Sequence, residues 1–148
     1  MSFLKIRTLA LLLLGGSFFI LDRFLKYLAF THQETVLYVW RPWIGWEYFA
    51  NPGIAFGIPL PWFTSLIYTP IILFLVFWYA KKRMTKNLIS TFGLILILYG
   101  ALSNLLDRLF YHITIDYIRI VTSLINLADV MIVCGAIFLF WQELKKKA

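Results

Sequence analysis

Four runs of apolar residues, at roughly 6–30, 62–80, 88–109 and 124–144, constrain this chain more than any other feature. About 20 residues of helix cross a hydrocarbon core about 30 Å thick, so each run is long enough to span a membrane. The composition agrees: 61% of the side chains are hydrophobic and only 14% are charged, against about 25% charged in soluble domains. The expectation is an all-α membrane protein with four transmembrane helices, forming a single domain over residues 1–148. The first run starts like a secretory leader, since Lys5 and Arg7 precede "TLALLLLGGSFFIL". It reads instead as a retained span, because no small-x-small cleavage site follows and the run continues through "DRFLKYLAF".

A net charge of +7 could suggest nucleic acid, but the basic residues form short clusters beside apolar runs, the pattern that orients membrane proteins. No nucleic-acid partner is expected. With both termini on the cytoplasmic side, Lys5, Arg7, Lys81, Lys82, Arg83, Lys86, Lys145, Lys146 and Lys147 all lie inside, and the outer connections keep only Arg41 and Arg119. Every acid except Glu143 then falls on the outer side. The connection between the first two runs, "THQETVLYVWRPWIGWEYFANPGIAFGIPLP", is aromatic, β-branched and broken by Pro and Gly, and predicts a small extracytoplasmic β-rich region. Its Tyr38, Trp40, Trp43 and Trp46 suit the headgroup level. "YHITIDYIRIVTS", between the third and fourth runs, also alternates like a strand.

Polar residues gather toward that outer side. Asp22 and Lys26 are four apart on one helix face and can pair, which lowers the cost of placing either in lipid. "NPGIAFG" puts Asn51 at the start of a Pro-Gly turn. In "YGALSNLLDRLF", Gly100, Asn104, Asp107 and Arg108 recur at helical spacing as one polar stripe, and the small residues permit close helix approach. Asp116 sits in "ITIDYI", where no helix signal requires an acid. Asn126 and Asp129 share a face at the start of the fourth run, where an acid also favours the helix dipole.

The available chemistry is narrow. His32 and His112 are the only histidines, Cys134 is the only cysteine, and no HExxH or Cys cluster exists, so no metal site is expected. A Ser-His-acid triad fails on the same shortage, and a Ser103–Lys26 pair has no supporting motif. Paired carboxylates remain: of two close Asp side chains one keeps a proton while the other activates water. Asp107, Asp116 and Asp129 are all candidates, and spacing does not choose between them. A small proton-coupled transporter and a membrane scaffold are the competing readings, although the ionisable residues crowd one end rather than the midplane.

Taken in order, "DRFLK", "NPGIAFG", "GALSNLLDR", "IDYI" and "INLAD" resemble the lipoprotein signal peptidases, also called signal peptidase II. The resemblance spans almost the whole chain. It implies an aspartic endopeptidase of the bacterial inner membrane, without cofactor, that removes signal peptides from prolipoproteins whose Cys carries a diacylglyceryl group. Membrane lipids are then part of its surroundings and of its substrate. Position by position, the resemblance puts the catalytic pair at Asp116 and Asp129. It makes Asn51, Gly53, Gly100, Asn104, Asp107, Arg108, Asn126 and Ala128 substrate-binding or supporting residues, with Asp22 and Lys26 bracing the first helix. Three departures stand out. Tyr99 and Ser103 occupy places where the family usually has glycine, and Ile125 replaces a common Phe. Only 13 positions separate Asp116 from Asp129, a shorter connection than is usual in the family.

Overall fold

The computed structural model of the chain describes residues 3–53, 61–83 and 87–147. Helix α1 (Phe3–Thr31) leads into strands β1 (Leu37–Trp40) and β2 (Ile44–Asn51); α2 (Trp62–Arg83) and α3 (Leu88–Tyr111) follow, then β3 (Thr114–Ile120), β4 (Ser123–Ile125) and α4 (Leu127–Lys147). Residues 54–57 of the "NPGIAFG" string lie outside the described residues.

Each helix end has a local cause. Asn87 caps α3, accepting from the Ile89 N–H at 2.9 Å, and His112 closes it in the left-handed region at φ 61. Asn126 and Asp129 cap α4 reciprocally: the Asn126 Oδ1 accepts the Asp129 N–H at 2.9 Å, and the Asp129 Oδ2 accepts the Asn126 N–H at 3.3 Å. This is the geometry of a capping box, with Asn and Asp in place of the usual Ser/Thr and Glu. Within α2, Pro70 removes one backbone donor.

Among the described residues, three helices are long and apolar enough to cross a membrane: Ile6–Thr31, Leu88–Tyr111 and Leu127–Lys145. The second predicted span does form a helix, the 22-residue α2, whose described residues include the apolar stretch Leu66–Trp78. The molecule is therefore a helical membrane protein with three candidate spans and a small antiparallel sheet. Its polarity is inverted relative to a soluble domain. Leu13, Ile20, Phe74 and Phe140 are exposed, whereas Asp22, Lys26, Asn104, Asp107, Asp116 and Asn126 are buried.

The sheet joins the β-rich region expected in the first connection to the strand-like segment between α3 and α4. All four strands form one sheet in the order β1-β2-β3-β4, so half of it comes from the segment between α3 and α4. The central β2–β3 pairing sets Phe49 opposite Asp116 and Asn51 opposite Thr114, with a bulge between Trp46 and Phe49. Ile115 and Tyr117 on β3 pack against Ala29 of α1, which seats the sheet on the helices.

Helices α3 and α4 pack closest where side chains are missing. A Cβ on Gly100 would stand 2.6 Å from the Ala128 carbonyl oxygen, and one on Gly135 would stand 2.5 Å from that of Gly93. These contacts bring the first turn of α4 against the polar stripe of α3.

Candidate active site

The deepest part of the site is an ionic cluster joining α1, α3, β3 and α4. Lys26, fully buried, reaches Asp22 at 3.1 Å, Asp107 at 2.8 Å and the Asn104 side-chain oxygen at 2.7 Å. Asp107 also accepts from Arg23 and, through Oδ2, from the Ile115 N–H at 3.2 Å. Asp22 receives four donors: Tyr117 Oη at 2.9 Å and the Ala128 N–H at 3.1 Å on Oδ1, Ser103 Oγ at 2.5 Å and Lys26 on Oδ2. Every buried charge of this cluster is thus opposed and hydrogen-bonded. That is the condition under which burial is tolerable, and removing one partner of such a set costs about 3–5 kcal/mol.

Two residues carry this cluster that sequence reasoning did not single out as functional. Ser103 looked like a loss of glycine, yet its hydroxyl is a fully buried donor to Asp22. Tyr117, also fully buried, donates to Asp22 and accepts the Leu127 N–H at 3.1 Å, tying β3 to the start of α4. Burial, then the Asp22 charge, push its phenol well above the usual range, so it stays a donor. The aromatic character of Tyr99 has a matching vacancy on α1. Its ring lies over Gly15, where a Cβ would come within 3.1 Å of it.

Asp116 and Asp129 stand outside the ionic cluster and border one cavity of about 430 Å³, with Asn51, β4 and the face of α4 that carries Val133 and Cys134. Asp116 is held by two carboxamides, accepting from Asn51 Nδ2 at 2.9 Å and Asn126 Nδ2 at 2.6 Å. Asp129 accepts from Asn104 Nδ2 at 2.8 Å and from the Asn126 backbone. Asn126 therefore touches both carboxylates, while Asn104 joins Asp129 to Lys26. Asn51 is itself oriented by the Gly53 N–H at 2.9 Å, and Arg108 donates to the Gly53 carbonyl at 3.3 Å.

Burial pushes the Asp116 carboxyl up to about 7, and the nearby Asp129 charge pushes the same way, against the Asn51 and Asn126 hydrogen bonds. One proton shared between these two acids near neutral pH is the state in which one carboxyl can donate while the other accepts.

The three acids that spacing left open have different surroundings. Asp107 has no face toward the cavity and is neutralised by two cations; Asp116 and Asp129 face the cavity together. The other residues named from the sequence occupy their surroundings: Asn51, Gly53, Asn104, Arg108 and Asn126 bond to or beside the pair, Gly100 and Ala128 set the α3–α4 approach, and Asp22 and Lys26 lie beneath.

Comparison with known proteins identifies the family of the chain. Residues 14–145 match the family model of signal peptidase (SPase) II. The lipoprotein signal peptidase of Bartonella quintana (strain Toulouse) is 34% identical over 116 residues, which is 70% of this chain and 67% of that protein. That of Syntrophus aciditrophicus (strain SB) is 30% identical over 150 aligned positions, covering 92% of each chain. A bacterial membrane enzyme solved by the in meso method at 2.3 Å has the same fold, with TM-score 0.84 and 24% identity over 94% of this chain and 90% of its own. A second, solved at 1.9 Å, gives TM-score 0.79 and 25% identity over 92% and 93%.

Proposed function

We propose, for a chain that belongs to the signal peptidase II family and is an aspartic peptidase of the membrane, that Asp116 and Asp129 are its catalytic pair. Its substrates are prolipoproteins, and the bond cut is the one before a Cys carrying a diacylglyceryl group. The observation that carries this reading is that two carboxylates lining one cavity are bridged from behind by the buried Asn126, while Asp107 is neutralised elsewhere. The transporter and scaffold readings give way to family membership.

In this mechanism the pair shares one proton, which starts the cycle on Asp116. Ionised Asp129 takes a proton from a water whose oxygen attacks the scissile carbonyl carbon, and Asp116 protonates the carbonyl oxygen. The tetrahedral intermediate collapses as Asp129 passes its proton to the leaving nitrogen of the Cys. Asp116 recovers the proton from the hydroxyl that becomes the new carboxyl. The products are a signal peptide ending in a carboxylate and a lipoprotein with a free Cys amine. Asn51, Asn104 and Asn126 keep the two carboxylates oriented through the cycle, and Arg108 is available to the substrate backbone or its lipid.

The cleft opens at the outer face of the bacterial cytoplasmic membrane, with both termini on the cytoplasmic side. Mass spectrometry of the product from a purified diacylglyceryl prolipoprotein tests the reading. A fragment beginning at the lipidated Cys is expected, and an unlipidated precursor is expected to stay intact. Cleavage at another bond, or equal cleavage of the unlipidated form, contradicts it.

A further inference from the structure

A second cavity, of about 310 Å³, lies on the other side of Asp129, between α2, α3 and α4. Its polar groups are collected at the sheet end: Tyr68, Thr69, Asn104, Arg108 and Asp129. Its remaining walls are largely apolar, with Ile72, Leu73, Ile97 and Ile132 among them. From Arg108 to Ile97 along α3 is eleven residues, roughly 16 Å at 1.5 Å per residue. The space is thus a narrow slot running parallel to the helices, polar at the end that meets the catalytic pair and apolar toward the middle of the membrane.

Its shape and lining select the occupant. Spread over that length, about 310 Å³ makes a channel narrower than a helix, which is about 10–12 Å across. An extended peptide would bring N–H and C=O groups against Leu73 and Ile97, where they would stay unsatisfied at a cost of about 1–3 kcal/mol each. A hydrocarbon chain has neither problem. The polar end adds a second observation: the Tyr68 hydroxyl is buried and has no hydrogen-bond partner among the described residues. Buried hydroxyls are rarely left so. Arg108, beside it, makes one hydrogen bond among the described residues, to the Gly53 carbonyl. Both are donors, so the complementary group is an acceptor at the head of an apolar chain.

We propose that this slot seats one acyl chain of the diacylglyceryl group, with its ester carbonyl accepting the Tyr68 hydroxyl, so that Tyr68 sets the register of the lipid against Asp129. The proposal rests on the peptidase reading and adds a lipid seat to it. In a diacylglyceryl thioether the ester lies a few bonds from the Cys backbone, which accounts for a donor placed in a cavity that Asp129 also lines. The other cavity, which both carboxylates border, keeps the scissile bond.

Steady-state cleavage by the full chain in detergent micelles, using three synthetic prolipoprotein peptides, tests the seat: a dipalmitoyl diester, the matching dihexadecyl diether and a dibutanoyl diester. One neutral hydrogen bond corresponds to about three- to tenfold in KM. Tyr68→Phe is expected to raise KM for the dipalmitoyl diester by that factor, with kcat within twofold, and to leave the diether unchanged. The unaltered chain should show the same rise on going from diester to diether. Ala101→Phe, which fills the slot, should raise KM for the dipalmitoyl but not the dibutanoyl substrate. A Tyr68→Phe effect equal on diester and diether, or absent from both, overturns the seat. Failure of the unaltered chain to cleave any of the three peptides would overturn the peptidase reading instead.

Discussion

Asp116 and Asp107 sit nine residues apart and experience opposite surroundings. Asp107 faces Arg23 and Lys26, whereas Asp116 faces two carboxamides and a second carboxylate. The stability consequence has a definite sign. Asp116 is raised from 3.8 to about 7 in the folded chain, so between those values the native state binds the proton more tightly than the unfolded state does. The stability this contributes is complete below about pH 4 and is lost as the pH rises through 7. Asp116→Asn removes that loss. Measured by thermal unfolding in detergent, the variant's Tm relative to the unaltered chain should climb between pH 5 and pH 8, whatever constant offset the new amide introduces. A pH-independent offset would contradict the raised carboxyl. At this scale the sequence was partly legible. Helical spacing brought Asn104, Asp107 and Arg108 onto one stripe, but it could not reveal that Asp107 is held by cations from α1, eighty-odd positions earlier in the chain. The Tyr117–Asp22 bond spans 95 positions and has no local signal at all.

Among the elements, α4 does two tasks through one residue. Asn126 caps it and also fixes Asp116, so substitutions there can separate folding from chemistry. Serine is a good N-cap but too short to reach Asp116; alanine does neither. Asn126→Ser is therefore expected to stay within a few tenths of a kcal/mol of the unaltered chain in cap stability, while Asn126→Ala loses about 1 kcal/mol. Cleavage should fall at least tenfold in both. Normal cleavage by Asn126→Ser would show that the Asp116 contact is dispensable. The cap was readable, since Asn and Asp three apart before an apolar run announce a helix start. The strand partners were not. Alternation in "ITIDYI" identified β3, but its pairing with β2 is a long-range event that closes some sixty residues, and periodicity does not encode register at that range.

For the molecule as a whole, the long apolar runs predicted the inverted polarity, with apolar surface outward and a charged interior at one end. They also predicted a helix over the second run, which α2 forms with Pro70 inside it. The proposed orientation is open to measurement. With the lone Cys134 replaced, single cysteines at Glu34 and at Lys145 should differ in intact cells, the first reacting with a membrane-impermeant thiol reagent and the second only after the membrane is broken. The reverse pattern would invert the account of which face holds the cleft. The central claim concerns the pair of acids in that cleft. It is tested most directly by single-turnover cleavage of a diacylglyceryl prolipoprotein with Asp116→Asn and Asp129→Asn, each first shown to be folded by its thermal transition. The account predicts that either substitution lowers the rate by at least about three orders of magnitude. Cleavage within tenfold of the unaltered chain by either variant would contradict it.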